Sequence, residues 1–242
     1  MRLLLTRPAG ETAEMDAQLR RAGHVSLTAP MLRIEIAGGS SLNLDGVQAV
    51  LATSGNGVRA LAQSTTTRTM ALCCVGPRTA AVARDLGFTN VMMSDGNVAR
   101  MATVVRERFR PDGGRLLYIT GDHVAGDLAG DLESAGFVVE RQVGYRAVAA
   151  TELPEEPRRA LATGAIDAVV LMSVRTAQTF VRLIESLKLA PALRPVDAIC
   201  ISPAVAAASA ALPWHDMVIA ERTDGTGVLG AIEMAARGRR SS

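Results

Sequence analysis

The sequence predicts an α/β protein of two similar domains, each a five-stranded parallel sheet flanked by helices, joined by a two-stranded β-ladder hinge. Two observations predict it. Short apolar runs alternate with amphipathic stretches of about ten to fifteen residues, the pattern of βα units around a parallel sheet. The chain also resembles itself in permuted order, which one continuous sheet does not explain. The 242 residues, 48% hydrophobic and 21% charged, are enough for two packed cores and too apolar for a disordered chain.

The candidate strands, in order, are Arg2 to Thr6, Val25 to Thr28, Ala49 to Ala52, Ala71 to Val75, Asn90 to Met93, Leu116 to Thr120, Val138 to Arg141, Asp167 to Met172, Ala198 to Ile201 and Met217 to Ala220. Ala49-Val50-Leu51-Ala52-Thr53-Ser54 resembles Ala168-Val169-Val170-Leu171-Met172-Ser173. Ala71-Leu72-Cys73-Cys74-Val75-Gly76-Pro77 resembles Ala198-Ile199-Cys200-Ile201-Ser202-Pro203, and the unit from Asn90 resembles the unit from Met217. The fourth match, Arg115-Leu116-Leu117-Tyr118-Ile119-Thr120 with Arg2-Leu3-Leu4-Leu5-Thr6-Arg7, puts the last part of one copy at the start of the chain. A nested arrangement accounts for this order: residues 1–31 plus 152–242 form one discontinuous domain, and 38–143 an inserted one. The hinge strands are then 32–37 and 144–151, both alternating in side-chain character.

Composition narrows the function. Aromatics are 3%, which leaves little for stacking nucleic-acid bases, and 26 Lys and Arg against 24 Asp and Glu leave a net charge of +2 with no excess for a polyanion. No nucleic-acid or membrane partner is expected. Cys73, Cys74 and Cys200 lie in apolar runs and read as reduced core thiols; with no export signal at the start, a cytoplasmic monomer is expected. His24, His123 and His215 lack metal-ligand spacing. Gly225-Thr226-Gly227-Val228-Leu229-Gly230 matches G-x-G-x-x-G, but too little chain follows for the second strand and ribose-binding acid of a dinucleotide site. Neither a phosphate-loop G-x-x-x-x-G-K-[ST] nor a G-x-S-x-G nucleophile turn occurs.

Open parallel sheets bind ligands at the carboxyl ends of their strands. Here those ends carry Thr6 and Arg7, Thr53, Ser54 and Asn56, Gly76, Pro77 and Thr79, Gly121, Ser173, Ser202 and Pro203, and Thr226 and Gly227. Singly, each reads as a helix cap or first-turn residue. Together they offer free backbone N–H groups and positive helix ends to a common cleft, which suits a polycarboxylate or polyphosphate. Asp122 and Asp224 read as caps. Tyr145 falls on a proposed hinge strand, where its hydroxyl either faces the cleft or packs against the hinge.

Seven segments carry a resemblance to a known family: Leu4-Leu5-Thr6-Arg7-Pro8, the run from Ala52 to Leu61 through Thr53-Ser54-Gly55-Asn56-Gly57, Val75-Gly76-Pro77-Arg78-Thr79-Ala80, Leu117-Tyr118-Ile119-Thr120-Gly121-Asp122, Gly144-Tyr145-Arg146, Met172-Ser173 with the helix to Phe180, and Ile201-Ser202-Pro203. In order and spacing the chain resembles the uroporphyrinogen-III synthase family over nearly its whole length. The resemblance implies two α/β domains joined by a two-stranded ladder. It also implies an enzyme that closes the linear tetrapyrrole hydroxymethylbilane, a substrate with eight carboxylates, into uroporphyrinogen III with inversion of the last ring, without metal or redox cofactor. On that resemblance Tyr145 is the catalytic residue assisting loss of the terminal hydroxyl, and the strand-end residues bind substrate. Where the family often has an arginine near Gly121 this chain has Thr120-Gly121-Asp122, leaving Arg7, Arg59, Arg78 and Arg175 as the cations to compensate. The rival reading from a different class is a non-catalytic two-domain polyanion-binding or regulatory protein of the same fold.

Overall fold

Leu3, Leu4 and Leu5 are almost completely buried, because β1 (Arg2–Leu5) is an interior strand, paired on both sides, of a sheet covered on both faces. The computed structural model describes residues 1–241 apart from 9, 11, 38–41, 96, 97, 124 and 125. The chain divides into two compact units, Met1–Arg33 with Val148–Ser242, and Ile34–Ala147.

In the discontinuous unit, β1 pairs in parallel with β2 (Val25–Thr28) on one side and β9 (Ala168–Leu171) on the other. Beyond β9 lie β10 (Asp197–Cys200) and β11 (Met217–Ile219), also parallel, giving the order β11-β10-β9-β1-β2. Side chains alternate between faces. Leu3, Leu5, Ala168, Val170 and Ile199 pack with α1 (Ala13–Arg21) and α9 (Gly225–Ser241). Leu4, Val169, Leu171, Ala198 and Cys200 pack with α6 (Glu155–Ala162), α7 (Val174–Ser186) and α8 (Pro203–Ser209). The apolar stripe of α7, through Ala177, Phe180, Leu183 and Ile184, follows the 3.6-residue period, and Phe180 stacks on Trp214 with ring centroids 5.8 Å apart.

The inserted unit repeats the plan. Strands β4 (Val47–Ala52), β5 (Leu72–Val75), β6 (Val91–Ser94), β7 (Arg115–Gly121) and β8 (Val139–Ala149) run parallel in the order β8-β7-β4-β5-β6. Helices α2 (Gly55–Ser64) and α3 (Gly76–Asp85) cover one face and α4 (Val98–Arg108) and α5 (Leu128–Glu133) the other. Strands β4, β5, β6, β7 and β8 occupy the stations of β9, β10, β11, β1 and β2, the correspondence that the permuted self-similarity predicts.

Two details differ from the sequence reading. The expected strand at Val138 to Arg141 and the expected separate crossing from Gly144 form one eleven-residue strand, β8. Beside its five parallel strands the inserted sheet also carries a sixth, β3 (Leu32–Ile36), next to β8 at the edge. The Ala37 N–H donates to the Gly144 carbonyl and the Ala150 N–H to the Met31 carbonyl, so β3 and β8 run antiparallel. Gly144 explains the continuity. A Cβ there would meet Ile119 Cγ2 at 2.7 Å and Ala60 Cβ at 2.8 Å, so the glycine makes room for packing inside a strand and does not mark a turn.

Candidate functional site

In each sheet the connections reverse direction once, between β1 and β9 in one unit and between β7 and β4 in the other, and ligands of doubly wound sheets bind outside such a switch point. The sequence-predicted residues divide between the units. Thr53, Ser54, Asn56, Gly76, Pro77, Thr79, Gly121 and Tyr145 belong to the inserted unit, and Thr6, Arg7, Ser173, Ser202, Pro203, Thr226 and Gly227 to the other.

The inserted unit brings three of its residues together. Ser54 is the N-cap of α2, its Oγ accepting the Gly57 N–H at 3.2 Å, and the same oxygen lies 2.9 Å from the Tyr145 hydroxyl. Tyr145 stands beside Gly121 across β7 and β8, where the register shifts after Thr120. A Cβ on Gly121 would come within 2.9 Å of the Tyr145 ring and 3.1 Å of its hydroxyl, so the missing side chain is what lets the phenol lie there. The Asp122 N–H donates to the Tyr145 carbonyl at 3.2 Å, which anchors the backbone at the same point.

Around this trio, the Thr53 hydroxyl lies 3.4 Å from the hydroxyl of the fully buried Tyr118. Burial pushes the Tyr118 phenol above its ordinary value of 10.0, against the opposing hydrogen bond of Thr53. Among the described residues, Thr120 Oγ1 is the one buried side-chain oxygen or nitrogen without a hydrogen-bond partner. Asn56 accepts from Arg59 at 3.2 Å. Gly76 opens α3 at φ 75°, a conformation that favours glycine, with Pro77 in the first turn and Thr79 buried.

In the discontinuous unit the strand ends serve mainly local structure. Thr6 is fully buried and donates to the Val170 carbonyl at 2.6 Å, so its hydroxyl is spent tying β1 to β9. An Arg7 N–H reaches the Met172 sulfur at 4.0 Å. Ser173 caps α7 through the Thr176 N–H at 3.1 Å, with the two side-chain oxygens 2.7 Å apart. Ser202 is the N-cap residue of α8 without a side-chain cap bond, ahead of Pro203. Thr226 and Gly227 lie in the first turn of α9, where Asp224 accepts the Gly227 N–H at 2.9 Å. That bond, with Arg222 assisting, holds the Asp224 carboxyl below its ordinary value.

Sequence reasoning singled out Ser54 and Tyr145 separately, 91 positions apart, and missed their contact. It also passed over Tyr118 and Thr120. The scarcity of tyrosine, two in the whole chain, was the signal that pointed to Tyr118 as much as to Tyr145. No group of His, Cys, Asp and Glu suited to a metal occurs among the described residues, and none of their helices is long and apolar enough to cross a membrane.

Fold and site define a two-unit, doubly wound α/β protein with a tyrosine hydroxyl held beside a helix N-terminus at one switch point. A sequence model of the uroporphyrinogen-III synthase HemD family matches residues 13–229, and the chain belongs to that family. Its fold is similar to the uroporphyrinogen-III synthetase of Helicobacter pylori, with a TM-score of 0.61 at 15% identity over 97% of this chain and 99% of that one. A mutant uroporphyrinogen III synthase of Thermus thermophilus aligns at 17% identity over 98% of this chain and 99% of its own, with a TM-score of 0.48. No curated protein matches the chain in sequence.

Proposed function

We propose that the chain is a uroporphyrinogen-III synthase, a cyclising lyase that converts hydroxymethylbilane to uroporphyrinogen III and water in tetrapyrrole synthesis. The family match over residues 13–229 carries this reading and favours it over the non-catalytic polyanion binder. The Ser54–Tyr145 hydroxyl pair gives it a chemical centre.

Tyr145 acts as general acid. Its O–H bond breaks as the proton passes to the terminal hydroxyl of the substrate, the C–O bond breaks with it, and water leaves a resonance-stabilised azafulvenium cation. Attack of the last ring on that carbon gives a spiro intermediate, which reopens and closes with that ring inverted. The ring carbon then loses a proton, restoring the balance. A general acid of this kind contributes about 10² to 10⁴ in rate.

The other strand-end residues, Thr53, Asn56, Gly76, Pro77, Thr79, Gly121, Arg7, Ser173, Ser202, Pro203, Thr226 and Gly227, belong to the same proposal as the surroundings of the substrate carboxylates. Free N–H groups and helix N-termini favour such anions. Thr6 acts behind them, in the sheet. The same reading has the enzyme working as a cytoplasmic monomer without a bound cofactor.

The test is incubation of the purified chain with freshly generated hydroxymethylbilane, then oxidation and separation of the porphyrin isomers. Predominantly type III product is expected. Type I alone, at the rate seen in buffer, would overturn the reading.

A further inference from the structure

Ser54 and Ser173 hold equivalent stations in the two sheets, each the N-cap of the helix that follows the strand beside the switch point. Their hydroxyls are used differently. Ser173 accepts the Thr176 N–H and has the Thr176 hydroxyl as its second neighbour, so both contacts stay in the first turn of its own helix. Ser54 accepts the Gly57 N–H, but its second contact reaches across the sheet to the Tyr145 hydroxyl on β8.

A serine hydroxyl has one proton to give. With Ser54 Oγ already accepting from Gly57, the remaining proton is suited to donation toward the Tyr145 oxygen, and the Tyr145 proton is then free to point elsewhere. We propose that Ser54 is a positioning residue of the proton-transfer step, donating its hydroxyl hydrogen to the Tyr145 oxygen and holding the phenolate that remains once Tyr145 has protonated the leaving hydroxyl. The proposal rests on the reading of Tyr145 as general acid.

Three features act together. The Gly57 N–H fixes the Ser54 oxygen. The amino-terminal end of α2, a ten-residue helix with no acidic residue in its first turn, places its positive end behind that oxygen. Gly121 leaves the phenol room to meet it. Hydrogen bonds to a charged acceptor are stronger than those to a neutral one, so the Ser54 contact strengthens as negative charge develops on Tyr145 and favours the transition state over the ground state. Ser54 itself neither gains nor loses a proton over the cycle. The proton that leaves Tyr145 is replaced by the one released from the ring carbon when the macrocycle is complete.

The experiment is a double-mutant cycle on the full chain, comprising Ser54→Ala, Tyr145→Phe and the pair, with type III isomer formation as the readout and a thermal melt of each variant. Ser54→Ala is expected to lower kcat roughly ten- to hundredfold with little change in KM, the range for losing a hydrogen bond to a charged group. It is expected to leave the residual kcat of Tyr145→Phe unchanged. Ser54→Thr, which keeps a hydroxyl and a cap, should recover most of the loss. Ser54→Gly removes the hydroxyl with a residue well tolerated at an N-cap, so it reads the catalytic effect even if the alanine variant folds poorly. A loss from Ser54→Ala that is equally large with and without the Tyr145 hydroxyl would show a purely structural cap and overturn the proposal, as would an unchanged kcat. Failure of the unmodified chain to make type III product would instead overturn the function itself, and this role with it.

Discussion

Gly121 and Tyr145 face each other across β7 and β8 at a distance that admits no side chain: a Cβ on Gly121 would lie 2.9 Å from two atoms of the phenol ring. The crowded atoms belong to the far end of a side chain, so the ring can yield without moving backbone. Gly121 is not among the positive-φ glycines either, so alanine suits its backbone. Gly121→Ala should therefore fold with a nearly unchanged melting temperature but push the Tyr145 hydroxyl away from Ser54. We expect kcat to fall toward that of Tyr145→Phe. A melt combined with initial rates of type III formation checks this, and normal turnover would mean the position of the phenol does not matter.

Tyr145→Phe removes one oxygen and keeps the ring that packs at Gly121. Turnover should drop by about 10² to 10⁴, with circular dichroism unchanged. A loss below about tenfold would assign the protonation to water or to a substrate carboxylate.

Thr6 provides a contrast, since its hydroxyl is buried and bonded to Val170. Thr6→Val should cost about 1 kcal/mol in urea unfolding, because the Val170 carbonyl loses its side-chain donor, and should leave KM unchanged. A raised KM at unaltered stability would move Thr6 from the sheet to the substrate.

Ionic strength tests the many weak contacts to helix N-termini. Each is worth roughly 0.3 to 1 kcal/mol and is screened by salt, so KM should rise with added salt while single replacements of Thr53, Thr79, Ser173 or Ser202 stay modest. A salt-independent KM, with one of these side chains proving indispensable, would reject that mode of recognition.

Alkaline stability follows from the thiols. Burial pushes Cys73 and Cys74, both on β5, from 9.0 up to about 12, and raises Cys200 as well. Each stays protonated in the folded chain over a range where the unfolded chain loses the proton. Their contribution is complete below about pH 8.5 and is lost as pH rises toward 12. Urea midpoints should fall progressively above that point, and Cys73→Ala should flatten the fall. A midpoint that is constant to pH 11 would contradict the burial.

The strands were legible because both sheets are buried on both faces, which leaves unbroken runs such as Leu3-Leu4-Leu5 and Val169-Val170-Leu171 in the sequence. The permuted repeat was legible for the same reason, since equivalent strands have equivalent neighbours. The continuity of β8 was not, because glycine is read as a break unless one knows that Ile119 and Ala60 crowd it. Tyr145 stood out as a rare residue, but its partner lies 91 positions away, and nothing local marks a serine that caps a helix and also bonds a phenol.

The permuted order of the two sheets has a consequence for the chain as it leaves the ribosome. β1 and β2 are made before the inserted unit, yet the other edge of β1 is filled only by β9, after every strand of that unit has been made. The inserted sheet can assemble from consecutive residues. Meanwhile Leu3, Leu4 and Leu5 wait in a half-paired fragment with an open edge, the kind of exposed strand that invites association between chains. During synthesis, therefore, the risk of aggregation lies in β1 and ends only when Ala168–Leu171 arrives to close the edge.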